Sequence, residues 1–134
     1  MLASIPSYRW TVVTSASESM MRSRLAVAGI TAPQHAVGGD TVRFGKPNTE
    51  GYLRGAAILT RQPQDCLVIE DAPAGIRAGK AAGCSVLAVA SSHRPEELQE
   101  ADWIIASIDQ IHIDIHPETA TLNLNFPALL SHKP

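Results

Sequence analysis

The stretch Cys66–Gly83, CLVIEDAPAGIRAGKAAG, decides the fold. Its first four residues are apolar or β-favouring and predict a short buried strand. Glu70 and Asp71 follow directly, and a helix of small residues begins at Pro73 or Ala74. The two carboxylates therefore stand at the carboxyl end of a strand and beside a helix N-terminus, where open α/β sheets bind their ligands. The stretch predicts a turn that holds a metal ion next to a phosphate.

The sequence on either side continues the alternation of strand and helix. Apolar and β-branched runs predict further strands, and residues with helical spacing predict helices between them. The strands are expected at Trp10–Thr14, His35–Gly38, Ser85–Ser92 and Asp102–Ala106, and the helices at Glu18–Ala28, Thr49–Thr60 and Pro95–Glu100. This alternation favours right-handed crossovers. We therefore expect an α/β fold with a Rossmann-like parallel sheet and helices on both faces.

The end of the chain predicts an antiparallel β-hairpin. Isoleucines alternate with polar residues over Ile111–His116, and Thr121–Phe126 alternates in the same way across a turn. The expected organisation is an α/β core over residues 1–110, with the hairpin and tail over residues 111–134.

Polar residues of this hairpin offer a competing metal site. His112, Asp114 and His116 lie on one face of the predicted strand. We interpret this face as solvent-exposed, with the intervening isoleucines turned to the core, because no fourth ligand is evident nearby. His93 stands isolated in a predicted loop and supports no site.

Composition and charge exclude several functional classes. The 134 residues are 45% hydrophobic and 18% charged, as in one globular domain. The formal charge of −2 and the lack of a basic run argue against nucleic acid or a membrane surface as partner. No apolar run approaches the roughly 20 residues of a membrane span, and no signal peptide is evident. Cys66 and Cys84 lack CxxC spacing, so we expect buried thiols in the cytoplasm.

Polar residues follow three of the predicted strands. Ser15 and Ala16 offer a hydroxyl and a backbone donor, Lys46 a cation, and Glu70 with Asp71 a hard-oxygen site. Each alone has a simpler interpretation as a helix cap or a solvated side chain. Together at one sheet edge they supply what phosphoryl transfer needs, with Mg²⁺ as the preferred metal.

Three ordered motifs resemble a known family. The sequences VVTSAS (Val12–Ser17), GKPNTEGYLRGA (Gly45–Ala56) and VIEDAPAGIRAGKAAG (Val68–Gly83) resemble motifs two, three and four of the haloacid dehalogenase-like hydrolases. Within that superfamily the chain looks most like the sugar-phosphate phosphatases of the β-phosphoglucomutase-like branch. The resemblance implies Mg²⁺-dependent hydrolysis of small sugar or polyol phosphates through an aspartyl-phosphate.

The resemblance also implies a role for each candidate residue. Ser15 and the Ala16 amide would bind the transferring phosphoryl group, and Lys46 would neutralise it together with the nucleophile. Asp71 would ligate Mg²⁺, with Glu70 assisting directly or through water.

The chain departs from the family pattern at the nucleophile. The family's phosphorylated aspartate lies in a DxDGT-like motif at the end of the first core strand, and neither this motif nor the helical cap is present in the sequence. By analogy the first strand would lie between Trp10–Thr14 and Cys66–Ile69. We therefore expect open strand edges that pair with the missing N-terminal segment or drive self-association.

Four functional hypotheses follow from these residues. The leading one is the C-terminal part of a sugar-phosphate phosphatase. A catalytically inactive phosphate- or partner-binding remnant and a β-phosphoglucomutase-like phosphotransferase are alternatives. A phosphoacceptor receiver module is disfavoured, because there the acidic pair precedes the hydroxyl and the lysine.

Overall fold

The computed structural model describes residues 2–132, which contain three α-helices and six strands. The helices are α1 (Glu18–Val27), α2 (Glu50–Ile58) and α3 (Pro73–Ala81). The strands are β1 (Leu67–Glu70), β2 (Ser85–Val89), β3 (Trp103–Ile105), β4 (His112–Ile115), β5 (Leu122–Asn125) and β6 (Leu130–Ser131). A single 3-10 turn at Pro95–Leu98 stands where a short helix was expected.

The main sheet has the strand order β1-β2-β3-β6. The first three strands are parallel, with Leu67 aligned to Ser85 and Leu87 aligned to Trp103. This confirms the parallel sheet predicted around the central stretch. The antiparallel strand β6, in which Leu130 pairs with Ile104, was not predicted because two residues carry no periodic pattern.

The two faces of the main sheet bury different partners, since side chains alternate along each strand. One face packs against α2 and α3, with Tyr52 and Ile76 in the same cluster as Val68, Val86 and Ile104. The opposite face packs against the hairpin, and this cluster contains Leu87, Val89, Ile105, Ile111, Ile113 and Leu124. The hairpin thus takes part in the core of the fold.

Helix α3 lies close to the sheet because its inward positions are small. A Cβ at Gly79 would stand 2.9 Å from a methyl of Val86. Pro73 occupies the first turn, where its missing N–H costs no helical hydrogen bond. This close packing brings the N-terminus of α3 to the end of β1, where Glu70 and Asp71 lie.

The terminal hairpin has the predicted antiparallel pairing, with His112 opposite Asn125. Its polar face is exposed as expected, and His116 Nδ1 accepts hydrogen bonds of 3.3 Å from the amides of Glu118 and Thr119 in the turn. The prediction that all three isoleucines face the core is wrong at Ile115, which is 39% exposed. It belongs to the last pair before the turn, beyond the part of the hairpin that covers the sheet.

The strands expected at Trp10–Thr14 and His35–Gly38 are reduced to one parallel bridge between Val13 and Val37. Two backbone hydrogen bonds of 2.9 Å, from Thr14 N and Val37 N, hold this bridge. On its other side, the Val13 carbonyl accepts a side-chain hydrogen bond instead of a strand's N–H. Pairing therefore extends no further than a single bridge.

Two further features bear on the sequence predictions. Cys84 is buried as expected, but Cys66 is half-buried, because it precedes a strand at the edge of the sheet. Within residues 2–132, no helix has the length and apolar character needed to cross a membrane.

Candidate active site

Lys46 and Glu70 form the centre of the site. Lys46 Nζ lies 2.5 Å from Glu70 Oε1 and 3.1 Å from the carbonyl oxygen of Val13. The lysine side chain is 16% exposed and the glutamate side chain 7%. One ammonium group therefore connects the Val13 bridge segment to the carboxyl end of β1. A largely buried charge pair of this kind requires close geometry, since both groups have lost hydration.

The carboxylate of Glu70 is held by further donors. The Tyr52 hydroxyl donates to Oε1, the oxygen that also pairs with Lys46, and the Asp71 amide lies 3.2 Å from Oε2. A Cβ at Gly75, in the first turn of α3, would overlap this carboxylate. Both oxygens of Glu70 are thus engaged by the protein, and a glycine makes room for them.

Tyr52 is a buried donor that the sequence did not single out. It lies on α2, in the helix expected at Thr49–Thr60, and its ring packs in the core. Burial, followed by the charge of Glu70, raises the pKa of the Tyr52 phenol. The phenol therefore keeps its proton and acts as a permanent hydrogen-bond donor to Glu70.

Glu50, at the start of α2, fixes the loop that carries Lys46. Its carboxylate oxygens accept hydrogen bonds of 2.9–3.0 Å from the amides of Arg43 and Phe44. These backbone hydrogen bonds lower the pKa of the Glu50 carboxyl. The Glu50 amide in turn donates to Asn48 Oδ1 at 3.0 Å. The loop is thereby bound to the helix on both sides of Lys46.

Asp71 is exposed and is contacted by the segment that follows β2. Ser92 Oγ donates to Asp71 Oδ2 at 2.9 Å, and His93 Nδ1 lies 3.0 Å from the Asp71 carbonyl oxygen. The prediction that His93 is isolated is therefore wrong. A signal was available, because parallel strands end at the same edge of a sheet and Ser92 follows β2 there.

Ser15 and Ala16 lie just beyond the Val13 bridge, at the start of α1. Ser15 is exposed, whereas the Ala16 amide donates to Thr14 Oγ1 at 3.1 Å. Ser17 caps the helix by accepting from the Met20 amide. The Ala16 amide is thus already engaged, and the Ser15 hydroxyl is the accessible group of this turn.

The donor set at Asp71 fits a Mg²⁺ ion that keeps several waters. In residues 2–132, Asp71 Oδ1 accepts no hydrogen bond, and the carboxylate is exposed. Mg²⁺ is commonly held by one or two carboxylates together with a substrate phosphate. No cluster of three or more His, Cys, Asp or Glu ligands occurs in the described part of the chain. Asp71 therefore fits as a single direct ligand, while the oxygens of Glu70 are engaged.

Comparison with known proteins identifies relatives of the chain. Residues 2–89 match the haloacid dehalogenase-like hydrolase family. The chain is 43% identical to hexitol phosphatase A of Escherichia coli over 108 residues, covering 81% of this chain and 50% of that protein. It is 32% identical to glycerol-1-phosphate phosphohydrolase 1 of Saccharomyces cerevisiae over 142 aligned positions, covering 98% of this chain and 57% of that protein.

A solved structure supports the same fold. The β-phosphoglucomutase of Clostridium difficile superposes with a TM-score of 0.62 at 29% identity, covering 72% of this chain and 42% of that one. The chain thus spans about half the length of the curated relatives it matches.

Proposed function

The chain belongs to the haloacid dehalogenase-like hydrolases, and we propose that it supplies the cationic and metal-binding part of a Mg²⁺-dependent phosphomonoester hydrolase. The observation that carries this proposal is the Lys46 ammonium, held between Val13 and Glu70 beside Asp71. Phosphoryl transfer depends on neutralising the phosphate oxygens by fixed cations and hydrogen bonds. Lys46 is such a cation, already oriented by the Val13 carbonyl and the Glu70 carboxylate.

Each residue has a distinct part in the proposed site. Lys46 neutralises the transferring phosphoryl group, and the Ser15 hydroxyl donates to its oxygens. The Ala16 amide, which donates to Thr14 Oγ1, joins Ser15 only by exchanging that bond for one to the phosphoryl group. Asp71 holds Mg²⁺, which supplies charge neutralisation between substrate and protein when it is bound. Glu70 keeps Lys46 in place through their ion pair, and it assists Asp71, the next residue, in holding Mg²⁺.

The nucleophile is proposed to be an aspartate on a separate extended segment. Strand β1 is at the edge of the main sheet, and Val13 faces the site with a carbonyl that contacts Lys46. An added strand beside β1 would satisfy open backbone groups and bring a carboxylate to the same sheet edge as Lys46 and Asp71. Pairing of the same edge with a second copy of the chain is the competing outcome.

The proposed location is the cytoplasm, and the proposed substrates are small sugar or polyol phosphates. The names of the relatives, which act on hexitol phosphates and glycerol 1-phosphate, support this substrate class. A β-phosphoglucomutase-like phosphotransferase is the second candidate, favoured by the solved structure. Product analysis separates the two, since a phosphatase releases inorganic phosphate and a mutase returns a phosphorylated isomer.

Binding of inorganic phosphate by the purified chain tests the site itself. Calorimetric titration in the presence of Mg²⁺ should show binding that Lys46→Met weakens by about tenfold or more, as loss of a charged contact implies. Lys80→Met is the matched control, because Lys80 pairs with Asp102 at 2.6 Å outside the site. Equal binding by wild type and Lys46→Met would overturn the assignment of Lys46. Steady hydrolysis of an aryl phosphate by this chain alone would exclude an inactive remnant.

A further inference from the structure

A small hydrogen-bonded cluster lies between the end of β1 and the segment after β2. Ser92 Oγ is 2.9 Å from Asp71 Oδ2 and 3.1 Å from His93 Nδ1. His93 Nδ1 is in turn 3.0 Å from the Asp71 carbonyl oxygen. Ser92 Oγ also lies 3.4 Å from that carbonyl oxygen, so Asp71 is contacted at its carboxylate by Ser92 and at its backbone by both residues.

The chemistry of these groups favours one direction for each hydrogen bond. A carboxylate and a carbonyl oxygen only accept, and the charged Asp71 Oδ2 is the nearest of the acceptors around Ser92 Oγ, so we assign the single Ser92 proton to Oδ2. His93 Nδ1 must then carry a hydrogen, because it faces the Asp71 carbonyl and an oxygen of Ser92 whose proton is already used. The network therefore assigns His93 the Nδ1–H tautomer.

We propose that Ser92 and His93 are positioning residues that orient the Asp71 carboxylate toward the divalent cation, an inference that rests on the proposed function. Ser92 occupies Oδ2, which leaves Oδ1 without a hydrogen bond among residues 2–132. His93 holds the backbone of the same residue, which limits movement of the turn. Residues that contact a metal ligand in this way commonly change metal affinity by 10–100-fold when they are replaced.

This role explains why an exposed carboxylate can serve as a single ligand. A free aspartate side chain samples several rotamers, and ordering it on metal binding costs conformational entropy. The Ser92 hydrogen bond orders the carboxylate before the ion arrives. Its neighbour Ser91 is also exposed but makes no hydrogen bond within the described residues, so Ser91→Ala is a matched control.

Paramagnetic broadening of the Asp71 amide resonance by Mn²⁺ measures the effect in the ¹⁵N-labelled chain. Ser92→Ala should need about tenfold more Mn²⁺ than wild type for the same broadening. Ser91→Ala and Ser92→Thr, which keeps the hydroxyl, should behave as wild type. Dispersed spectra of all variants establish that they are folded.

The outcomes separate the inference from its premise. If Asp71→Asn abolishes the broadening but Ser92→Ala matches wild type, the positioning role of Ser92 is overturned and the metal ligand stands. If broadening survives Asp71→Asn, the metal assignment in the proposed function is overturned. The ring ¹⁵N shifts of His93, recorded in mildly alkaline buffer, decide its part independently. The Nδ1–H tautomer supports the cluster, and the Nε2–H tautomer contradicts it.

Discussion

Lys46 Nζ lies 2.5 Å from Glu70 Oε1, although 24 positions separate the two residues in the sequence. The lysine comes from the loop before α2 and the glutamate from the end of β1. Their contact, together with the Lys46 bond to the Val13 carbonyl, ties three separate segments to one point. The proposed phosphate site lies at this point.

The first prediction concerns the charge of Lys46. In a complete enzyme, Lys46→Met should lower kcat by about 10³-fold, because one preorganised charged donor to the phosphoryl oxygens is lost. Lys80→Met should lower stability with little loss of turnover, since Lys80 pairs with Asp102, which directly precedes β3 and lies outside the proposed site. Steady-state kinetics on both variants checks this, and near-normal turnover by Lys46→Met would contradict the role of Lys46.

The second prediction concerns the hydroxyl of Tyr52. Tyr52→Phe leaves the buried Glu70 oxygen with one donor fewer and should lower the free energy of unfolding by about 2 kcal/mol. Urea denaturation at neutral pH measures this change. Tyr8→Phe is the control, because the Tyr8 side chain is 68% exposed. An unchanged unfolding midpoint in Tyr52→Phe would show that the hydroxyl contributes nothing to stability.

The third prediction is a pH dependence of stability, which follows from the raised pKa of Tyr52. Burial and the charge of Glu70 raise the pKa of Tyr52 above its ordinary value of 10.0. Below that pH the phenol is protonated in both states, so its contribution is constant. Above it only the unfolded chain releases the proton, and stability falls by about 1.4 kcal/mol per pH unit. The difference in unfolding free energy between wild type and Tyr52→Phe should therefore shrink as pH rises from 10. A constant difference would contradict the raised pKa.

The fourth prediction concerns the space around the Glu70 carboxylate. Gly75→Ala places a methyl group on that carboxylate and should cost about 2 kcal/mol of stability through overpacking. Gly45→Ala is a matched control beside Lys46, since a Cβ there has no atom within 4 Å. Urea denaturation compares the two variants, and equal stability would mean that α3 does not constrain Glu70.

The central stretch could be predicted because its signals are local. Four β-favouring residues, a charged turn and a Pro-initiated helix specify β1 and α3 without reference to the rest of the chain. The strand expected at Ser85–Ser92 is observed at Ser85–Val89, and it was predicted from a continuous apolar run. The hairpin was predicted from its alternation of apolar and polar residues. The strand expected at Trp10–Thr14 is reduced to one bridge, because a strand also requires neighbouring strands to pair with. The sequence of the strand itself does not show how many such neighbours are present.

The site was less predictable, because its contacts join residues far apart in the chain. Position at a sheet edge suggested Lys46 and Asp71 as neighbours of a phosphate. It did not suggest that Tyr52, on α2 with its ring in the core, would donate its hydroxyl to Glu70. The same signal was available for Ser92, which follows β2 at that edge, but its contact with Asp71 depends on the path of the segment after β2.

The most direct test is a chimera in which this chain replaces the aligned half of E. coli hexitol phosphatase A. We expect Mg²⁺-dependent release of inorganic phosphate from hexitol or glycerol phosphates, and loss of this activity in both the Lys46→Met and Asp71→Asn chimeras. Circular dichroism and gel filtration establish that all three are folded. A folded chimera that releases no phosphate, or one whose activity survives both substitutions, would contradict the claim that these residues form a phosphoryl-transfer site.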